Sequence, residues 1–256
     1  MLPVMQKAQR SIPSKLFLFS HTKVGKTTLA SALPNALIID TENGSDFVDG
    51  IKYNLVKESK KSNKGQYTLL KKLANEIIEA NAKIDGYVYD YIVFDTLSGL
   101  EEIAHKLATF LYKKSVIGKD FKGDDIVREL PQGGGYLWLR EAFSRLYKMF
   151  DGISKYGMVL FGHVKLGSIN IEGKELQIRD VMLTGKLKYM ITQDSDAIGY
   201  LYRSKDNINQ VYVTFKTYEL DLATGSRSPH LRNQEFVLSE LMSDGNFKFY
   251  WDKIYL

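Results

Sequence analysis

Residues Ser20-His21-Thr22-Lys23-Val24-Gly25-Lys26-Thr27-Thr28 come close to the phosphate-loop pattern G-x-x-x-x-G-K-[ST]. Main-chain N–H groups of such a loop and of the helix that follows converge on phosphate oxygens. Gly25 lets the chain approach closely, Lys26 brings a charge to the β- and γ-phosphates, and the Thr27 hydroxyl suits a Mg²⁺ ligand. The segment therefore points to a nucleoside triphosphate bound with Mg²⁺. Ser20 departs from the pattern, which has glycine there, and a Cβ at that position strains the loop if its φ must be positive. A chance Gly-Lys at a helix start is the alternative.

A nucleotide site also needs a carboxylate for the metal. Asp95 ends the apolar run Tyr91–Asp95 and precedes Thr96-Leu97-Ser98, which places it at the end of a buried strand, where open sheets bind ligands. A helix cap is the competing role. Glu42 follows the run Ala36–Asp40 and is placed either to polarise an attacking water or to serve as a loop charge. His163 ends the run Gly157–Gly162, as a γ-phosphate sensor or as a structural histidine.

The elements that must carry these residues can be read from the pattern. Lys15–Phe19, Ala36–Asp40, Tyr91–Asp95 and Gly157–Gly162 are short apolar runs bounded by turn residues, as in strands buried on both faces of a parallel sheet. Lys26–Leu33, Thr68–Asn81, Leu100–Lys113 and Leu137–Lys155 carry the helical spacing between them, so the chain predicts an α/β fold. Asp196–Arg203, Gln210–Tyr218 and Phe247–Ile254 are rich in Tyr, Val and Phe and predict antiparallel strands that extend the same sheet. No linker or repeat divides the chain. The expectation is one unit over residues 1–256, with an N-terminal arm at 1–14 and a β-rich extension at 196–256.

Composition narrows the field. With 256 residues, 44% hydrophobic and 25% charged, the chain can bury a core unaided. The absence of cysteine excludes disulfide scaffolds, thiolate zinc sites and cysteine nucleophiles, and the four histidines show no metal-ligand spacing. No window approaches the ~18 apolar residues of a membrane span, and the opening residues lack the apolar stretch of a signal peptide. No membrane contact and a cytoplasmic location are expected. Thirty-five basic against thirty acidic residues give +5, a lean toward acidic partners that matters only if the charge is clustered.

The P-loop, the strand leading to Asp40-Thr41-Glu42, the strand leading to Asp95-Thr96 and the strand leading to Gly162-His163 together resemble the RecA-like branch of P-loop ATPases. More narrowly, the chain resembles phage-encoded nucleotide-binding proteins of single-strand annealing recombination, over about Lys15 to Asn233, with Leu183–Leu187 and Gly225–Pro229 as further signals. The resemblance implies a RecA-like fold with a mostly parallel central sheet flanked by helices. It implies a catalytic glutamate at Glu42, just after the strand adjacent to the P-loop strand, and a sensor at His163. It also implies ATP bound between subunits stacked head to tail in a ring or filament, completed by a basic finger in trans, for which Lys216 and Arg227 are candidates.

Single-stranded DNA, and beside it a single-strand-binding protein, are the implied partners in a host bacterium's cytoplasm. The DNA path falls on the loops Lys113–Gly135 and Lys165–Lys186. The first carries Lys113, Lys114, Lys119, Lys122 and Arg128, offset by Asp120, Asp124, Asp125 and Glu129. The second carries Lys165, Lys174, Arg179, Lys186 and Lys188. Two other functions remain open at this level. One is a nucleotide-gated loader or regulator of a replication protein with little turnover, which Ser20 favours. The other is a small-molecule kinase, for which no arginine-rich lid is visible.

Overall fold

The structure, a computed structural model, describes residue 5 and residues 7–123, 129–130, 133–171, 174–217 and 224–255; for residues 169–171, 174, 176 and 177 the backbone alone is described. Chain order is β1 Lys15–Ser20, α1 Lys26–Ser31, β2 Ala36–Asp40, β3 Ile51–Asn54, α2 Leu55–Ser62 and α3 Gln66–Ile84. Then follow β4 Tyr91–Asp95, α4 Leu97–Lys114, α5 Gly135–Lys148, β5 Gly157–Ile171, β6 Lys174–Val181 and α6 Leu187–Asp194. The last strands are β7 Ala197–Arg203, β8 Gln210–Thr214, β9 Gly225–Ser226, β10 Glu235–Leu241 and β11 Phe247–Phe249.

One sheet runs in the order β11-β10-β8-β7-β1-β5-β4-β2-β3. From β7 to β3 every neighbouring pair is parallel, and β8, β10 and β11 add antiparallel strands at the far side. The expected α/β sheet with a C-terminal antiparallel extension is therefore present. Side chains alternate across β1: Phe17 and Phe19 pack into one core with Leu100, Leu107 and Phe143 of α4 and α5. Leu16 and Leu18 pack into the other with Leu29, Phe215, Leu238 and Trp251. Burial of both faces is the reason these strands read as unbroken apolar runs. The Trp251 indole N–H donates to Leu29 O at 3.0 Å, fastening the C-terminal segment beneath α1.

Several expectations need correction. Lys165–Lys186 is not a loop: β5 runs on past the sheet to Ile171 and pairs antiparallel with β6, from Val164↔Val181 to Ile171↔Lys174. Polar and apolar residues alternate along this hairpin's sequence, a pattern that an apolar-run criterion overlooks. β7 is parallel to β1 and antiparallel to β8 and β9. β10 was missed. The predicted strand at Phe247–Ile254 is a strand only to Phe249, followed by a 3-10 turn at Trp251–Lys253. β2 is separated from the P-loop strand by β5 and β4, so Glu42 does not follow a strand adjacent to β1. α5 stops at Lys148 rather than Lys155. Tyr218, Arg128, Asp124 and Asp125 lie outside the described residues, as do residues 1–4 and 6 of the expected arm. At the end of that arm, Ser14 donates N–H and hydroxyl hydrogen bonds to Asp196.

Candidate functional site

β1 delivers Ser20 to the C-terminal edge of the sheet, and the loop from His21 to Gly25 turns back into α1. That turn needs two left-handed residues, Lys23 at φ 62° and Gly25 at φ 118°. Glycine meets the second at no steric cost. Ser20 is the last residue of an extended strand and has no positive φ, so the replacement of glycine introduces no strain. The sequence feature that favoured a weakly hydrolysing protein thus loses its physical basis.

The Ser20 side chain instead takes part in the site. Fully buried, its hydroxyl donates to His21 O at 2.7 Å and accepts from Lys26 Nζ at 3.1 Å. The same ammonium donates to His21 O at 3.3 Å and lies 3.3 Å from His163 Nδ1. The Lys26 side chain is thus folded back onto its own loop. Burial pushes its pKa below the ordinary lysine value, against the opposing pull of the Asp95 and Glu42 carboxylates.

Strand register brings the other residues to this edge. Ser20 pairs with His163, and Asp95 pairs with Asp40. The Thr27 hydroxyl donates to Asp95 Oδ2 at 2.6 Å. Burial raises the Asp95 carboxyl above the ordinary aspartate value, while the Thr27 hydrogen bond and the Lys26 charge oppose that rise. Two hard oxygen donors side by side at a phosphate loop fit Mg²⁺, which takes one or two protein oxygens and completes its shell with phosphate and water. Among the described residues no group of three or more His, Asp or Glu could hold a metal.

Glu42 is held at both oxygens. The Thr96 hydroxyl donates to Oε1, and His163 Nε2 lies 3.3 Å from Oε2. One tautomer satisfies the whole chain of contacts: Nδ1 accepts from Lys26 and Nε2–H donates to Glu42. The His163 hydrogen bond is the chief cause that keeps Glu42 below the ordinary glutamate pKa, with Thr96 adding to it and burial opposing. Thr41 in turn exchanges hydrogen bonds with the Thr96 N–H and carbonyl, each at 2.9 Å. Asp40 fixes the loop after β2 by accepting from the N–H groups of Glu42, Gly44 and Ser45.

A cleft of about 450 Å³ results, lined by P-loop residues and by Glu42, Phe47, Asp95, Thr96 and His163. Thr22, Lys23, Gly25, Lys26, Thr27, Thr28, Glu42, Asp95 and His163 meet in this one place, whereas Ser20, His21 and Val24 do not line it. The sequence pattern had offered Thr96 only as a neighbour of Asp95, and it gave no signal for Arg203, whose guanidinium donates to the P-loop carbonyl of Val24 at 3.1 Å.

A family model described as AAA domain matches residues 12–228. The chain belongs to the AAA domain family. In this AAA domain β5 lies between β1, which leads into the P-loop, and β4, which ends at Asp95. Among solved structures, the chain is similar to one described as the crystal structure of the RadB recombinase, at 10% identity and a TM-score of 0.42, covering 94% of this chain and 92% of that one. No curated protein matches it.

The remaining candidates lie elsewhere in the AAA domain. Arg227 contacts Asp196 at 3.5 Å and donates to Gln193 O at 2.7 Å, beside the Lys15 end of β1 and away from the P-loop. Lys216 lies beyond β8 and pairs with Glu235 at 3.3 Å. Neither approaches the cleft of its own chain. Lys165 and Arg179 are exposed on the hairpin, and the Arg179 guanidinium lies 5.4 Å from the centre of the Tyr200 ring. Lys186 is exposed just before α6, and the Lys174 side chain lies outside the described residues. No helix among the described residues is long and apolar enough to cross a membrane.

Proposed function

We propose that the chain is a RecA-like ATPase that binds Mg²⁺-ATP at the Lys26–Asp95 cleft. In this reading it acts on single-stranded DNA in phage recombination, annealing or repair. The observation that carries the reading is the convergence of Lys26, Thr27, Asp95, Glu42 and His163 on one cleft of about 450 Å³.

The loop amides and Lys26 hold the phosphates. A desolvated ammonium whose acceptors are a hydroxyl, a carbonyl and an imidazole gains by exchanging them for phosphate oxygens. Thr27 and Asp95 would hold magnesium, which when bound supplies charge neutralisation at the β- and γ-phosphates. Glu42 stays ionised and accepts a hydrogen bond from the attacking water. The water oxygen bonds to the γ-phosphorus, the bond to the β–γ bridging oxygen breaks, and the water proton passes toward Glu42 as ADP and phosphate form. His163 reads the γ-phosphate, because moving Lys26 removes its Nδ1 contact, and the carbonyl of His163 accepts from Met182 N at 2.8 Å at the base of the hairpin.

Head-to-tail stacking would set the Lys15 end of one sheet, which carries Arg227, against the P-loop end of the next. A trans finger would come from there, with Lys216 as the second candidate. Lys165, Lys174, Arg179 and Lys186 would follow the strand backbone. Residues 1–256 would act as one unit in the cytoplasm of a host bacterium, with a single-strand-binding protein as a further partner.

ATP turnover measured with and without a single-stranded oligonucleotide tests the reading. Stimulation by the strand and loss of turnover in Lys26→Ala are expected. A Lys26→Ala protein that hydrolyses ATP at the parental rate overturns the site. ATP binding with no turnover, strand present or absent, would instead favour the loader or regulator.

A further inference from the structure

A second cavity, of about 390 Å³, opens between the start of α5 and the start of α6. Its walls include Tyr136, Leu137 and Arg140 from α5 and Thr184, Gly185 and Lys186 from the turn before α6. None of these residues lines the P-loop cleft. The volume is that of a small-ligand pocket.

Its lining combines three side chains that have no polar partner among the described residues. Tyr136 is 53% exposed and, among the described residues, its ring and hydroxyl have no partner. Arg140 is half-buried, yet its guanidinium has no carboxylate or carbonyl partner among the described residues. Other arginines of the same protein do have partners: Arg145 bonds Glu141 and Arg203 bonds two carbonyls. Lys186, exposed on the facing wall, is likewise unpaired among the described residues. The Glu101 carboxylate accepts from Thr184 N at 3.0 Å. A guanidinium at a cavity wall with no partner among the described residues can take an anionic partner from outside. A free aromatic face and the Leu137 side chain beside it call for a flat apolar group.

We infer that this cavity binds one nucleotide unit, with the base against Tyr136 and Leu137 and the phosphate between Arg140 and Lys186. The unit is either a free nucleoside monophosphate or one residue of a single strand. For the strand source, the inference rests on the single-stranded DNA reading above and relocates its grip from the hairpin lysines to the α5–α6 mouth. Backbone connects this mouth to the nucleotide cleft: Met182 is bonded to His163 O, and Thr184 follows two residues later. No base-edge reader among the lining residues points to a particular base, so recognition is by stacking and tolerant of sequence.

The test uses the full chain with its P-loop cleft saturated by Mg²⁺-ADP. One arm measures 2-aminopurine fluorescence and anisotropy of a labelled oligodeoxynucleotide; the other uses free 2-aminopurine deoxyriboside monophosphate. Variants are Tyr136→Ala, Tyr136→Phe and Arg140→Ala. Tyr136 is exposed, and the Phe variant retains the ring as a folding control.

Tyr136→Ala should weaken binding about tenfold, with Tyr136→Phe near the parent. Arg140→Ala should weaken it and flatten the salt dependence by about one charge. Loss in both arms, or in the monophosphate arm alone, supports the pocket, and the second pattern shows that a strand binds elsewhere. Loss in the oligonucleotide arm alone supports the pocket as a strand site. Oligonucleotide binding unchanged in all variants, with no monophosphate binding, overturns the pocket and leaves the strand reading standing. No binding in either arm overturns both.

Discussion

The hydroxyl of Thr27 donates to Oδ2 of Asp95 at 2.6 Å, across a gap in the sheet that β5 occupies. This contact joins the first turn of α1 to the end of β4 and sets the spacing at which two oxygens face one phosphate-bound cation. It also marks where burial and function conflict, because Asp95 is 5% exposed and must be ionised to hold a metal.

Acidification should therefore weaken Mg²⁺-ATP binding early. Burial places the Asp95 carboxyl above the ordinary aspartate value, so it takes up its proton at a higher pH than a free carboxylate does. Calorimetric titration of Mg²⁺-ATP should show affinity falling on the acid side at a higher pH than an ordinary aspartate would give. In Asp95→Asn that pH dependence should vanish, together with most of the magnesium requirement.

The same shift has a consequence for stability. A carboxyl raised in the folded state stabilises when protonated, below its unfolded pKa, and that contribution disappears as pH rises through the folded value. At neutral pH the ionised Asp95 is a liability to the nucleotide-free protein. Asp95→Asn should melt about 2 °C higher than the parent at pH 7.5 without nucleotide. The gain should be absent at a pH acid enough to protonate the parent's Asp95, and a lower melting point at pH 7.5 would contradict the assignment.

Glu42→Gln separates binding from chemistry. The amide keeps contacts to Thr96 and His163 but cannot accept the water proton, so turnover should fall about 100-fold while ATP affinity changes less than about threefold. Single-turnover and equilibrium binding measurements read the two effects independently.

Thr96 positions Glu42 rather than touching substrate, and its partner Thr41 anchors it. Thr96→Val should slow turnover about tenfold, and in a Glu42→Gln background it should cost almost nothing further. Residues that act through one another are non-additive. Fully additive losses in the double variant would show that Thr96 acts on something other than Glu42.

Much of this architecture is legible in the chain, for a physical reason. Strands buried on both faces of a parallel sheet must be apolar throughout, so β1, β2, β4 and β5 stand out from Leu16–Phe19, Leu37–Ile39, Ile92–Phe94 and Met158–Phe161. Their polar endings, Ser20, Asp40, Asp95 and His163, then lie at one sheet edge almost by construction. What escaped was set by partners distant in sequence. The hairpin of β5 and β6 lacks an apolar run, and β3 has only four residues, two exposed and two half-buried. Arg203 reaches Val24 across 179 positions. The cations of the α5–α6 cavity stand apart because they have no partner among the described residues, and no sequence pattern records that.

Ser20 provides the last prediction. Where the loop pattern has glycine, this chain has a side chain that accepts from Lys26 and donates to His21 O. Because Ser20 is extended, glycine relieves no strain there, and it adds backbone freedom at the end of a central strand. Ser20→Gly should therefore destabilise the nucleotide-free protein by about 1 kcal/mol, through lost hydrogen bonding and added chain entropy. Freed from the hydroxyl, Lys26 reaches phosphate at lower cost, so ATP affinity should rise modestly, by less than about fivefold, with turnover near the parent's. Thermal melts with and without Mg²⁺-ATP read both quantities on one sample. A large gain in turnover would mean that the serine restrains catalysis, and a rise in melting temperature without nucleotide would mean that its Cβ is strained after all.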